Sequence, residues 1–364
     1  MEAPFFSSLA AGEGLGKEGG MAHLDLRDGG KLLILSDLHM GCGPRDDLAA
    51  NGRLLAVMLR DYYLPKGFIL VLNGDIEELQ RYRLGEINKQ WRELFTLFDE
   101  FAAAGRFVKT LGNHDEDLVY EKNYSYPLYQ ALRVDTGQIP VFIYHGHQSS
   151  KLFTKYNYLA HSLVRYIFAP FGIRNVSVAR SPYRRFSVEK KAYAFSLAHS
   201  CISIIGHTHR TLFESLGRLD YIKYEIERLC RDYTAAPDTD KVRIAAEVAA
   251  LRGDLSRLRR SERRDVLRQS LYGDELPVPC LFNSGSAISR KGINALELNN
   301  DAIALVYWFT EGGGRRFVSR GNYQVEKVNG RCRAVLNHDR LDYIRARIEL
   351  LGSPGNSGAH NTKS

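Results

Sequence analysis

The sequence predicts an α/β fold on three observations: short apolar runs of strand length recur along the chain, helical patterns separate the first of them, and each run ends abruptly in a small polar cluster. The runs are 31–36, 68–73, 107–111, 141–144 and 201–205. They are rich in Leu, Ile, Val and Phe, and too short for buried helices. Between the first three, residues 54–62 and 84–101 repeat apolar side chains at intervals of three and four, as a helix with one buried face requires. Runs 280–283, 294–298 and 303–309 read as closing strands, with Asn283-Ser284-Gly285-Ser286 forming a turn between the first two.

At 364 residues the chain can form one large domain or two ordinary ones. An apolar fraction of 44% and a charged fraction of 25% are those of a globular chain, which excludes disordered and fibrous classes. The best apolar run, 163–173, contains Arg165 and Pro170 and falls well short of the roughly 20 residues of a membrane-spanning helix. Five cysteines without paired spacing point to a reducing compartment, so the expected location is cytoplasmic. A net charge of +8 favours phosphates, nucleic acid or anionic lipid and does not choose among them. Residues 1–30 are rich in Gly, Ala and Ser, with Glu2 where a signal peptide would be basic. They read as a flexible leader, with Met21 as an alternative start. From 313 a C-terminal extension is expected, disordered after about 352.

Two stretches interrupt the alternation. Residues 151–199 interleave aromatics such as Phe153, Tyr156, Tyr166 and Phe171 with Lys151, Arg165, Arg174 and Arg184. They read either as an ordinary helical cap with solvated arginines or as a lid over an anionic, partly apolar substrate. Residues 219–271 are highly charged. Leu219, Ile222, Ile226, Leu229 and Tyr233 follow a heptad rhythm, as do Ile244, Val248, Leu251, Leu255 and Leu258 beyond Pro237. That pattern predicts an antiparallel helical hairpin.

The polar clusters are Asp-Leu-His (37–39), Gly-Asp-Ile-Glu-Glu (74–78), Gly-Asn-His-Asp (112–115), His-Gly-His (145–147) and Gly-His-Thr-His (206–209). Six of the eleven histidines lie in them, so their placement is not that of scattered surface residues. In α/β sheets functional groups gather at the carboxyl ends of strands, so five clusters can converge on one edge. Residues two apart in a loop can point the same way, which lets Asp37 with His39 and His207 with His209 aim paired donors at one pocket. A lone pair of this kind is weak evidence, whereas the ordered set needs several independent coincidences. Oxygen and nitrogen donors together suit Mn²⁺, Fe²⁺ or Zn²⁺ and not Ca²⁺.

In this order the clusters resemble the signature of calcineurin-like metallophosphoesterases: D-x-H, G-D-x-x-D/E, G-N-H-D/E, H-G or G-H, and G-H-x-H. The resemblance covers 31–148, 201–210 and 280–309. It implies a four-layer α/β/β/α sandwich over 31–312, interrupted by the inserted cap (151–199) and the helical hairpin (219–271). Two divalent ions are implied, Mn²⁺ first, with Fe²⁺ or Zn²⁺ as alternatives. Asp37, His39 and His209 would hold one, Asn113, His145 and His207 the other, and Asp75 would bridge them. A metal-bridging hydroxide would then attack phosphorus in line while the cations neutralise growing charge. His114 would be the general acid and Glu78 would orient it and raise its pKa. Asp115 and His147 would support the ligands from behind.

The placement of the cap resembles that in UDP-2,3-diacylglucosamine diphosphatases, which grip a lipid-bearing pyrophosphate. Many of those enzymes carry Arg where this chain has His114, a departure from the narrower assignment. The expected substrate is a phosphorylated small molecule or a nucleotide-linked lipid such as UDP-2,3-diacylglucosamine, met at the inner face of a membrane the chain touches peripherally. One alternative is a nuclease or phosphodiesterase with nucleic acid as partner, since a coiled arm also occurs in the nuclease branch. Another is a non-catalytic scaffold that uses the hairpin, through which a homodimer could also form.

Overall fold

A computed structural model describes residues 4–11, 20–149, 182–261, 278–288, 292–313 and 323–352. Its early strands are β1 (Met21–Asp25), β2 (Lys31–Leu35), β3 (Ile69–Asn73), β4 (Phe107–Thr110), β5 (Leu128–Tyr129), β6 (Ala131–Asp135) and β7 (Pro140–Tyr144). There follow β8 (Ile202–Ile205), β9 (Leu212–Phe213), β10 (Leu216–Gly217), β11 (Leu281–Asn283), β12 (Ile293–Asn299), β13 (Ala302–Thr310), β14 (Val325–Val328) and β15 (Arg331–Arg340). They form two sheets, ordered β1-β6-β7-β8-β11-β9-β10 and β14-β15-β13-β12-β2-β3-β4-β5.

The period of two in each strand builds the layers. β2 sends Leu32 and Ile34 between the sheets, where they meet Val141, Ile143, Ile202 and Ile204 of the first sheet. Leu33 and Leu35 face the other way, onto helices. Those helices are α2 (Gly52–Met58), running into a π-helical turn at Leu59–Tyr63, then α3 (Leu84–Gln90) and α4 (Arg92–Ala103). α4 buries Leu94, Leu97, Phe98 and Phe101, one stripe at three and four spacing. On the outer face of the first sheet lie α1 (Pro4–Ala11) and α5 (Pro182–His199), where Phe6, Leu9, Val188 and Phe195 pack on Phe142, Tyr144 and Ile205. The result is a four-layer α/β/β/α sandwich.

Three details depart from the sequence reading. The helix expected over 84–101 is two helices, broken at Trp91, whose backbone leaves the helical region (φ −109°, ψ 29°) and whose indole donates to the Gly41 carbonyl at 3.0 Å. The leader expected to be flexible contains α1, whose Phe6 stacks on Phe195 at 4.9 Å, and β1, which pairs in parallel with β6. Past 313, β14 and β15 widen the second sheet, and α8 (Leu341–Leu351) buries Leu341, Ile344 and Ile348 against the intersheet core. The expected end of the core at 312 therefore falls short. In the hairpin region, α6 (Arg218–Ala235) and α7 (Asp238–Ser261) meet at 236–237 and bury Ile222, Leu229 and Ile244. The rest of that insertion, most of the expected cap and the tail after 352 lie outside the described residues. No helix among the described residues is long and apolar enough to cross a membrane.

Candidate metal centre

Parallel pairing of β2 with β3 and of β3 with β4 delivers three of the polar clusters to one edge, and the parallel pair β7–β8 delivers the other two. The pairing continues past the strands: the N–H groups of Asp37, His39 and Met40 donate to the carbonyls of Gly74, Asp75 and Ile76 at 3.1, 3.0 and 2.7 Å. The loops bearing Asp37, His39 and Asp75 thus run side by side.

Their backbone is unusual. Asp37, His39, Asp75, His207 and His209 all have positive φ, at 54°, 47°, 54°, 64° and 55°. Left-handed conformation costs an L-residue about 1–2 kcal/mol, so five strained donors at one edge mark a place where side-chain direction outweighs local comfort. Two glycines make room. A Cβ on Gly74 would lie 2.5 Å from His145 Nδ1, and one on Gly112 would lie 2.2 Å from Asp75 Oδ1.

The side chains gather into two neighbouring groups. Ligating atoms of Asp37, His39 and His209 lie within 4.8 Å of one another, as do those of Asp75, His145 and His207. A third group, His39, Asp75 and His114, links the two, sharing His39 with the first and Asp75 with the second. His39 Nε2 is 3.1 Å from His209 Nε2, His209 Nε2 is 3.1 Å from Asp37 Oδ1, and His145 Nε2 is 3.1 Å from Asp75 Oδ2. Two donors each about 2.1 Å from a shared ion stand about 3–3.4 Å apart, so these separations fit common ligation. Among the described residues, His145 Nε2 and Asn113 Oδ1 are buried without an aligned hydrogen bond, as atoms aimed at a cation would be. Asn113 sits between Gly112, packed on Asp75, and His114, whose N–H donates to Asp75 Oδ1 at 2.8 Å.

Three of the imidazoles are held by a partner on Nδ1. His145 Nδ1 meets the Asn73 carbonyl at 2.9 Å, which makes Nδ1 the donor and leaves the Nε2 lone pair facing inward. Glu78 does this for two rings, with Oε2 on His39 Nδ1 and Oε1 on His114 Nδ1, both at 2.9 Å. Asp37 also accepts the His207 N–H, at 3.0 Å, across the two sheets.

The electrostatics favour positive charge. Burial would push the carboxyls up, yet neighbouring histidines hold Asp37 down to about 2 and Asp75 well below its usual range. Burial likewise opposes protonation of His145 and His114, but Asp75 overcomes it in both, aided at His114 by Glu78, and both rise to about 9. His207 falls to about 3 through burial and the repulsion of His145. His147, its ring 5.4 Å from that of His145, is lowered well below its usual range by burial and by His145 and His207. An oxygen and nitrogen pocket that collects protons this way fits divalent cations.

A family model described as calcineurin-like phosphoesterase matches residues 30–211, half of the chain. The protein belongs to the calcineurin-like phosphoesterase family. It is a metal-dependent phosphoesterase, and the convergent His and Asp groups are where this family member can bind divalent metal. Among solved structures, Yfce, a phosphoesterase from E. coli, aligns at 11% identity over 85% of this chain and 99% of its own, with a TM-score of 0.34. No curated protein matches the sequence.

The structure also names residues of this phosphoesterase that the sequence reading passed over. Asn283, read as part of a turn, donates to the Gly206 carbonyl and to Thr208 Oγ1 at 3.1 and 3.0 Å and so holds the loop of His207 and His209. Asn73, read as the last residue of a strand, orients His145 through its carbonyl. For Asn73 the available signal was a polar side chain closing an apolar run just before Gly74.

Proposed function

We propose that this phosphoesterase hydrolyses a phosphoester or pyrophosphate bond at a dinuclear centre, with Asp37, His39 and His209 on one ion, Asn113, His145 and His207 on the other, and Asp75 shared. The observation that carries the reading is the pair of donor groups linked where His39 of one comes within 4.0 Å of Asp75 of the other, with five of the seven proposed donors in left-handed backbone. Two bound cations would supply Lewis-acid neutralisation of the phosphoryl oxygens and a water acidified toward neutrality. His114 is the proposed proton donor to the leaving oxygen. Its Nε2 points toward the Asp75 side of the pocket, 4.0 Å from Oδ2, and Glu78 fixes the ring and favours its protonated form. Glu78 thereby sets the direction of both the acid and the ligand His39.

For the substrate, we favour an anionic molecule with an apolar portion, such as a nucleotide-linked lipid. The interleaved aromatic and basic residues of 151–199 support this, and the helix that ends that insertion is tied to the centre. Glu189 of α5 pairs with Arg210, next to His209, at 2.7 Å, and Lys191 donates to the Ser149 carbonyl beside His147. The exit of the insertion is thus tied to both halves of the centre. Purified protein analysed for metal and screened with Mn²⁺ against phosphomonoesters, phosphodiesters and nucleotide-sugar lipids tests the reading. About two transition ions per chain and turnover of one class are expected. Metal-free protein that stays inert with every class would refute it, and turnover confined to DNA or RNA would replace the substrate with nucleic acid.

A further inference from the structure

β4 carries a lysine where a buried strand should carry a hydrophobe. Lys109 stands between Phe107 and Leu111, on the face that meets the helices, and its side chain has no exposure. An ammonium in such a place is strongly disfavoured unless paired. Here Nζ contacts Glu77 Oε2 directly and lies 3.6 Å from Asp115 Oδ2, both acids being as deeply buried. Tyr124 closes the cluster, donating its hydroxyl to Glu77 Oε1 at 2.9 Å and placing its ring 5.3 Å from Nζ.

The two acids lead straight to the loops of the metal centre. Asp115 accepts the N–H of Gly112 at 2.7 Å and that of Ile76 at 2.8 Å, clasping the loop of Asn113 and His114 to the residue after Asp75. Glu77 forms an isolated parallel bridge with Met40, next to His39, and Glu78 N–H donates to the Met40 carbonyl at 3.0 Å. One cation therefore sits where three ligand-bearing loops meet. With one positive charge between two carboxylates, its removal would leave like charges facing each other beneath Asp75.

We infer that Lys109 is a positioning residue for the metal centre: held between Glu77 and Asp115, its ammonium fixes the loops that present Asp75, Asn113 and His114. The inference rests on the dinuclear reading above and adds to it a residue that touches neither metal nor substrate. Its expected signature is that of an outer support, a loss of about 10–100-fold in metal affinity together with a fall in kcat at nearly constant KM, because substrate contacts are untouched.

The test is a Mn²⁺ titration of the full chain, followed by the electron-paramagnetic signal of the free ion, beside turnover of bis(p-nitrophenyl) phosphate. Lys109→Met should show the affinity loss and the kcat effect. The Glu77→Gln/Lys109→Met pair removes both members of the ion pair, should melt close to wild type, and should still bind Mn²⁺ at least about tenfold more weakly. If the pair bound two ions as tightly as wild type, Lys109 would be merely structural and the inference overturned. Should neither variant fold, Tyr124→Phe, which deprives Glu77 of one donor, is expected to weaken Mn²⁺ binding about two- to threefold, and unchanged binding there overturns it equally. Wild-type protein that takes up no Mn²⁺ would sink the dinuclear reading and this inference together. Two ions bound alike by wild type and every variant would leave that reading standing and remove Lys109 alone.

Discussion

Replacing Glu78 with Gln separates a carboxylate that organises the centre from one that is simply buried. In the native protein its two oxygens each accept a ring N–H at 2.9 Å, from His39 and His114. An amide of the same shape offers one oxygen and one donor, so one of the two rings must turn over or lose its partner. A ring that turns over carries its proton on Nε2, where His39 can no longer ligate. Hydrogen bonds to a buried charge are worth about 1.5–3 kcal/mol each. The titration of Glu78 gives a matching scale: burial pushes it up, but the bonds from His114 and His39 outweigh burial and hold it at about 2, against 4.5 for the free side chain. That depression corresponds to about 3 kcal/mol of folding stability. Because the folded pKa is the lower one, the contribution is complete above pH 4.5 and is lost as pH falls toward 2. Metal-free wild type should exceed Glu78→Gln by about 3 kcal/mol at pH 7, with the two converging near pH 2, as read by denaturant unfolding across that range. At pH 7 the variant should also turn over at least about 100-fold more slowly. A stability difference equal at pH 3 and pH 7, or wild-type turnover, would refute the assignment.

Three further outcomes are expected. His114→Ala should retain two ions per chain by elemental analysis while turnover slows about 10²–10⁴-fold, and unchanged turnover would remove it as the acid. Asp75→Ala should lose both metal and activity, because its carboxylate lies in reach of both donor groups; two tightly bound ions would contradict its shared role. Gly112→Ala should fold yet bind metal weakly, since the new Cβ meets the Asp75 backbone nitrogen and carboxylate at 2.2 Å, and wild-type metal content would show that the loop yields without moving Asp75.

The parts legible in the sequence are those where strand pattern and cluster chemistry coincide. Runs such as 31–36 and 68–73 alternate between two buried faces, and their ends carry the donors that the fold brings together. Less legible were elements with weak apolar contrast. β15 turns Cys332 and Ala334 inward, small side chains between arginines that do not announce a strand, so the widening of the sheet past 313 was hidden. α1 contributes only Phe6 and Leu9 to a core supplied mostly from elsewhere. Lys109 escaped notice for the opposite reason. Within an apolar run a single lysine reads as tolerated exposure, and only the arrival of Glu77 and Asp115 from distant positions makes it interior.

The donors divide between the two sheets, and that division explains why the loops tolerate strain. Of the proposed donors, Asp37, His39, Asp75 and Asn113 leave strands of the second sheet, whereas His145, His207 and His209 leave strands of the first. Packing between the sheets is hydrophobic and nondirectional, so it fixes their separation more firmly than the aim of any side chain at the rim. Direction comes instead from polar links that cross the gap: the His207 N–H on Asp37, the His145 ring on the Asn73 carbonyl, and the approach of His145 to Asp75. The first two links require a backbone group of one sheet to come within hydrogen-bond distance of a side chain of the other. Gly74 allows this, because a Cβ there would lie 2.5 Å from His145 Nδ1, and the left-handed residues stand on the loops that carry these links. The strain at Asp37, His39, Asp75, His207 and His209 is thus the local cost of closing two sheets around one pocket, and it falls on the residues whose side chains that pocket uses.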